Sequence, residues 1–214
     1  MRAISSSELK RLPSGSIHSR GSHETMTPYV EASPSFKARV AGALYCLVFL
    51  AGGAALLVPG PLGLLAGLVA GACYVAVTLL FYDLFKPVSG SLSSLAAVIS
   101  FVGCVNGPLS LLHLAPFHVH SLVFFGVYCV LIGYLVLEST FLPRGLGVLM
   151  ALAGLGWPTF LSPPLATRLS PYVFVPGILG AGALTLWLLV FGVNEQRWKD
   201  QAGVAGASIR SRPT

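Results

Sequence analysis

Polar and apolar positions along this chain segregate into blocks. They do not alternate, so nothing in the pattern favours strands. A polar stretch of about 36 residues comes first. Six apolar runs follow, at about 38–58, 62–85, 92–114, 121–137, 142–161 and 172–193. A helix needs roughly 20 apolar residues to cross a bilayer core, and each run is about that long. Lys37 and Arg39 mark the start of the first run, and Pro59-Gly60-Pro61 ends it. Proline cannot extend the helical ladder, and glycine opens the turn. Asp83, Lys86 and Pro87 close the second run, and 194–200 closes the last. The pattern is clearest from Leu122 to Trp157, where two apolar runs meet at Glu138-Ser-Thr-Phe-Leu-Pro-Arg144. That elbow holds the only charges of the stretch, as a membrane hairpin turning at a water interface would. The expected fold class is all-α: an integral membrane bundle of six transmembrane helices with disordered polar tails. Its parts are a tail at 1–36, a membrane domain at 37–198 and a tail at 199–214. No apolar run lies within signal-peptide distance of the N-terminus, so a cleavable signal is not expected.

Details inside the runs refine this picture. The first turn is so short that its two helices must be antiparallel. The second run carries Gly63, Gly67 and Gly71 at four-residue spacing, a groove that lets another helix approach closely. That groove suits packing within the chain, or a homo-oligomer or membrane partner. Asn106-Gly107-Pro108 interrupts the third run and predicts a kink or an unwound turn. Gly156-Trp157-Pro158 stands near the end of the fifth. Residues 162–171 read as a proline-rich loop, with Pro176 near the start of the sixth span.

Composition agrees with the hydropathy pattern. The chain has 214 residues, of which 55% are hydrophobic and only 9% charged. A soluble domain has about 25% charged residues. The net charge of +6 lies outside the spans, so it reads as a topology signal facing anionic lipid, with no nucleic acid implied. With six spans, 12 of the 13 basic residues fall on one side, with only Arg168 on the other. The positive-inside rule then places both termini in the cytoplasm of a cell that carries the protein in its plasma membrane. Cys46, Cys73, Cys104 and Cys129 lie in four different runs with no CxxC pair, which is how free apolar cysteines read.

The runs Phe124-Phe-Gly-Val-Tyr-Cys-Val-Leu-Ile-Gly-Tyr-Leu, Phe141-Leu-Pro-Arg-Gly-Leu-Gly-Val-Leu and Ala153-Gly-Leu-Gly-Trp resemble the core of a bacterial multi-pass family. It is catalogued as domain of unknown function 4386. Arg39-Val-Ala-Gly-Ala-Leu-Tyr and Leu186-Trp-Leu-Leu-Val-Phe-Gly-Val-Asn194 are similar to it as well. The resemblance covers about residues 38–198. It implies a multi-pass helical fold and brings no known activity.

Candidate chemistry is sparse. No catalytic, cofactor or metal motif stands out, and no charge sits at the centre of a span, where it would cost roughly 2.5–3.5 kcal/mol. A proton-coupled carrier needs such a group. Asp83 is placed to pair with Lys86. Asn106 is the most embedded strongly polar side chain. His113, His118 and His120 occupy the third connection without an acidic or cysteine neighbour. Pro108, Pro158 and Pro176 all fall in the outer halves of their helices, where kinks would splay the bundle. The expectation is a shallow outward-facing pocket lined by Asn106, Trp157, Thr159 and His113. Two functions follow: a non-enzymatic membrane protein acting through packing or a partner, or a handler of a small molecule or lipid through that pocket, as binder, carrier or intramembrane enzyme.

Overall fold

The computed structural model describes residues 32–111 and 120–210. Seven α-helices carry them: α1 Pro34–Leu57, α2 Pro61–Phe85, α3 Gly90–Leu111, α4 Ser121–Glu138, α5 Arg144–Gly156, α6 Pro163–Val190 and α7 Glu195–Arg210. A short 3-10 helix, Trp157–Leu161, follows α5. No described residue lies in a strand. Six of the helical segments are long and apolar enough to cross a membrane.

The helix ends follow from local chemistry. Ser33 caps α1, its side chain accepting from the Phe36 N–H at 3.2 Å, and Pro34 stands where no amide donor is needed. Gly60 turns the chain at φ 81°, a left-handed conformation that suits glycine. The last span ends at Gly192, φ 67°, whose N–H reaches back to Leu188 O at 3.0 Å. Asn194 then caps α7, its Oδ1 accepting from the Arg197 N–H at 3.1 Å.

Consecutive spans pack side by side, and α6 returns to pack on α1, so the six close a ring. Its thinnest seam is α2–α3. The interior is filled by Tyr45, Phe81, Phe85, Tyr128, Ile132, Met150, Leu184 and Leu188. The exterior is just as apolar: Leu50, Leu56, Leu68, Leu155, Leu179 and Leu186 are each more than half exposed. Such a surface is far larger than any apolar patch a water-soluble monomer tolerates. In lipid it carries no penalty.

Four local expectations change. Asn106-Gly107-Pro108 does not break its helix, and α3 stays helical to Leu111. One proline removes one ladder bond, and the rest of the ladder holds. The segment read as a proline-rich loop, 162–171, is the N-cap and about the first third of α6. Pro163 and Pro164 sit in its first turn, where amide donors have no helical acceptor anyway. Residues 199–210, read as part of a loose tail, continue α7. That helix has a cap, an acidic first residue and good helix formers behind it, and it is tied down. Trp198 Nε1 donates to Leu84 O at 2.9 Å. Thr140 donates from both its amide and its hydroxyl to Gln201 Oε1, at 3.1 and 3.0 Å. Gln201 Nε2 donates to Glu138 O at 3.3 Å, and Arg197 donates to Thr140 O at 3.3 Å. Asp83 also departs from expectation: it pairs with Lys37 at 3.0 Å, not with Lys86. The Lys86 ammonium lies over the Tyr82 ring, 6.0 Å from its centre.

Candidate functional site

Paired glycines bring α4 and α5 together backbone against backbone. A Cβ on Gly133 would stand 2.7 Å from Ala151 N and 2.8 Å from Gly147 O, and one on Gly147 would stand 2.7 Å from Gly133 O. Seven residues along each helix the arrangement repeats: a Cβ on Gly154 would lie 2.7 Å from Gly126 O, and one on Gly126 would lie 2.9 Å from Gly154 O. The two backbones touch at both crossings, which only residues without side chains permit. This fixes the position of α4, and with it one wall of a cavity.

That cavity holds about 310 Å³ and lies between α1, α2, α3 and α4. Each helix gives it one face, at helical spacing: Tyr45, Val48, Phe49 and Gly52; Ala70, Gly71 and Tyr74; Ser100, Gly103 and Cys104; Ser121, Leu122 and Phe125. Read along the helices, it runs from the middle of the bundle toward the end opposite the 139–143 elbow. Missing side chains help to make the space. Neither Gly52 nor Gly71 has any atom within 4 Å of where its Cβ would be. The thin α2–α3 seam leaves the rest.

Behind the inner wall lies a cluster of hydroxyls. The Thr78 and Ser100 oxygens are 2.7 Å apart, and Thr78 Oγ1 donates to Tyr74 O at 3.0 Å. The rings of Tyr45, Tyr74 and Tyr128 pack on one another, Tyr45–Tyr74 at 6.3 Å and Tyr74–Tyr128 at 5.8 Å. Tyr74 faces Ser100 and Tyr128 faces Thr78. Even so, all three phenol hydroxyls are buried without a well-formed hydrogen bond among the described residues. Buried hydroxyls in native proteins are normally paired.

The residues singled out from sequence are placed elsewhere. Asn106 is buried on α3, one turn past Gly103, and is not in the cavity wall. Trp157 is buried in an aromatic cluster, with Phe125 at 5.4 Å, Phe174 at 5.3 Å and Phe160 at 5.9 Å between ring centres. It backs Phe125, which does line the cavity. The Thr159 hydroxyl donates to Gly156 O at 2.8 Å, closing its own turn. His113 and His118 lie outside the described residues, and His120 caps α4, its Nδ1 accepting from the Leu122 N–H at 3.3 Å. Asn106, Trp157 and Thr159 therefore do not share a wall of this cavity.

The stripe on α2 divides in two. Gly63 lies hard against Val58 O, and the Cβ position of Gly67 is 3.7 Å from Ala55 Cβ, so these two seat α2 on α1. Gly71 faces the cavity. The residues that sequence reasoning missed are the tyrosine trio and the glycine pairs of α4–α5. A signal for each was present. The tyrosines are polar-tipped residues at mid-span, and the seven-residue glycine spacing occurs once on each arm of the hairpin.

Residues 109–192 match the model of a family described as Domain of unknown function (DUF4386). The match covers α4 to α6 and the end of α3, a shorter stretch than the resemblance at 38–198. An uncharacterized protein of Archaeoglobus fulgidus is 27% identical, over 55% of this chain and 76% of that protein. No solved structure matches the chain.

Proposed function

We propose that this integral membrane protein is a non-enzymatic binder of a membrane-soluble small molecule, held in the cavity between α1, α2, α3 and α4. One observation carries the reading. Four helices each turn a face of small or apolar residues toward a common space of about 310 Å³. Binding sites for small molecules run from about 300 to 1,000 Å³ and are lined mainly by apolar and aromatic groups. The wall holds no acid, base or metal ligand set, which favours binding over turnover. The distribution of cations supports an orientation for the site. Lys37, Arg39, Lys86, Arg144, Arg197 and Lys199 belong to the elbow end and Arg168 to the other. In a plasma membrane with the elbow end and both termini cytoplasmic, the cavity occupies the outer leaflet.

The test is mass spectrometry of small molecules retained by the full-length protein, purified in mild detergent, alongside Gly71→Leu. Leucine at 71 projects into the cavity without displacing backbone. The proposal expects an apolar molecule on the native protein that the variant loses. If the native protein retains nothing that the variant does not, the proposal fails.

A further inference from the structure

The hydroxyl cluster behind the inner wall suggests what the cavity takes. Its protons can be counted. Thr78 spends its one hydroxyl proton on Tyr74 O, so the 2.7 Å contact with Ser100 uses the Ser100 proton. Both short hydroxyls are then committed as donors. Tyr45, Tyr74 and Tyr128 each retain an O–H donor that finds no good acceptor among the described residues. The Ser100 and Thr78 oxygens keep lone pairs that Tyr74 and Tyr128 approach, but no well-formed bond results, so the phenol protons stay open to a better-placed acceptor.

Two of those three tyrosines, and Ser100, border the cavity. The Tyr45 and Tyr74 oxygens are themselves buried. Water is a poor candidate for the missing partner, since a buried water needs two to four polar neighbours. The wall is mostly apolar, with Val48, Phe49, Leu122 and Phe125 on it, and Ser100 and Ser121 are its only aliphatic hydroxyls among the described residues. An anion is no better suited, because no Lys or Arg lines the cavity.

We infer that the ligand is a neutral, lipophilic molecule with a carbonyl-type oxygen at one end, seated tip first against Tyr74 with its apolar body extending toward Gly52 and Gly71. The inference rests on the binding role proposed above and specifies its chemistry. A small rotation of the Tyr74 side chain brings its O–H onto the incoming oxygen. The hydrocarbon remainder then meets only apolar wall.

The protein contains its own reporter. Cys104 lines the cavity, and Cys129 is fully buried. With Cys46→Ala and Cys73→Ala in the full chain, a small maleimide in detergent reads Cys104. The probes are 2-undecanone and undecane, which differ by one carbonyl. The ketone is expected to halve the alkylation rate at a concentration about tenfold below that needed for the alkane, the worth of one hydrogen bond. Tyr74→Phe is expected to abolish that gap and leave protection by the alkane unchanged. Should Tyr74→Phe not fold, the comparison of the two probes on the native protein still decides the carbonyl assignment. Equal protection by both probes, or a gap that survives Tyr74→Phe, overturns the carbonyl assignment and leaves the binding role standing. Protection by neither probe overturns both.

Discussion

An alanine at Gly133 places a methyl carbon 2.7 Å from Ala151 N and 2.8 Å from Gly147 O. Ordinary van der Waals contact begins near 3.4 Å, so the methyl is about 0.7 Å too close to two backbone atoms. Neither can swing aside as a side chain would, so α4 and α5 must separate. A radial gap of about 0.5–1 Å forfeits roughly a quarter to a half of each dispersion contact along the seam. Overpacking of this kind costs about 1–3 kcal/mol. Gly133→Ala is therefore expected to lose about 2 kcal/mol, in the middle of that range. The assay is reversible unfolding in mixed micelles, with Gly182→Ala as the control. Gly182, on α6, has nothing within 4 Å of its Cβ position. The double variant Gly133→Ala with Gly147→Ala should lose less than the sum of the singles, because the first methyl already opens the gap the second needs. If Gly133→Ala stays within about 0.5 kcal/mol of the control, the usual scatter of innocuous substitutions, the seam is not held by close backbone approach.

Other predictions concern the periphery and the cavity. Gln201→Ala removes hydrogen bonds between α7 and the elbow, so amide exchange across 195–210 should accelerate while that of α4 and α5 does not change. Trp198→Phe keeps an aromatic ring, though a smaller one, and loses the 2.9 Å bond to Leu84 O. It should cost about 0.5–1.5 kcal/mol in the same micelle unfolding assay. The Lys37–Asp83 pair has side chains 23% and 51% exposed, so Asp83→Asn should cost under about 1 kcal/mol and less still in high salt. Trp157→Ala leaves Phe125 unsupported and should lower stability by about 3–5 kcal/mol, a loss visible as a fall in thermal midpoint.

Sequence made the architecture readable because lipid imposes a simple rule: each crossing must satisfy its own backbone and present apolar side chains. Six runs at bilayer length left little choice. The finer features depended on proline and glycine, whose local signals have two meanings. Asn106-Gly107-Pro108 and 162–171 look like turns in water, yet the ladder around them persists in α3 and α6. A run of four-spaced glycines stands out on α2, whereas the reciprocal backbone contacts of α4 and α5 lie at seven-residue spacing. That pairing is visible only once the hairpin is folded. The cavity was harder still. A cavity wall is an absence of side chains shared by four helices, and no single stretch records it. Tyr45, Tyr74 and Tyr128 are far apart in sequence, and each alone reads as an ordinary aromatic. Asn106 stood out because it is the strongest dipole in its span, but strength of polarity did not determine which residues meet.

The six crossings themselves can be tested by labelling. Single cysteines are introduced at Ser89 and Gly145, at the elbow end, and at Pro61 and Pro164, at the other end, with the four native cysteines replaced. A membrane-impermeant maleimide is applied to intact and then permeabilised cells. Pro61→Cys and Pro164→Cys should react from outside, and Ser89→Cys and Gly145→Cys only after permeabilisation. Reaction of Ser89→Cys and Gly145→Cys on opposite sides, or of all four on one side, would contradict the six-span bundle.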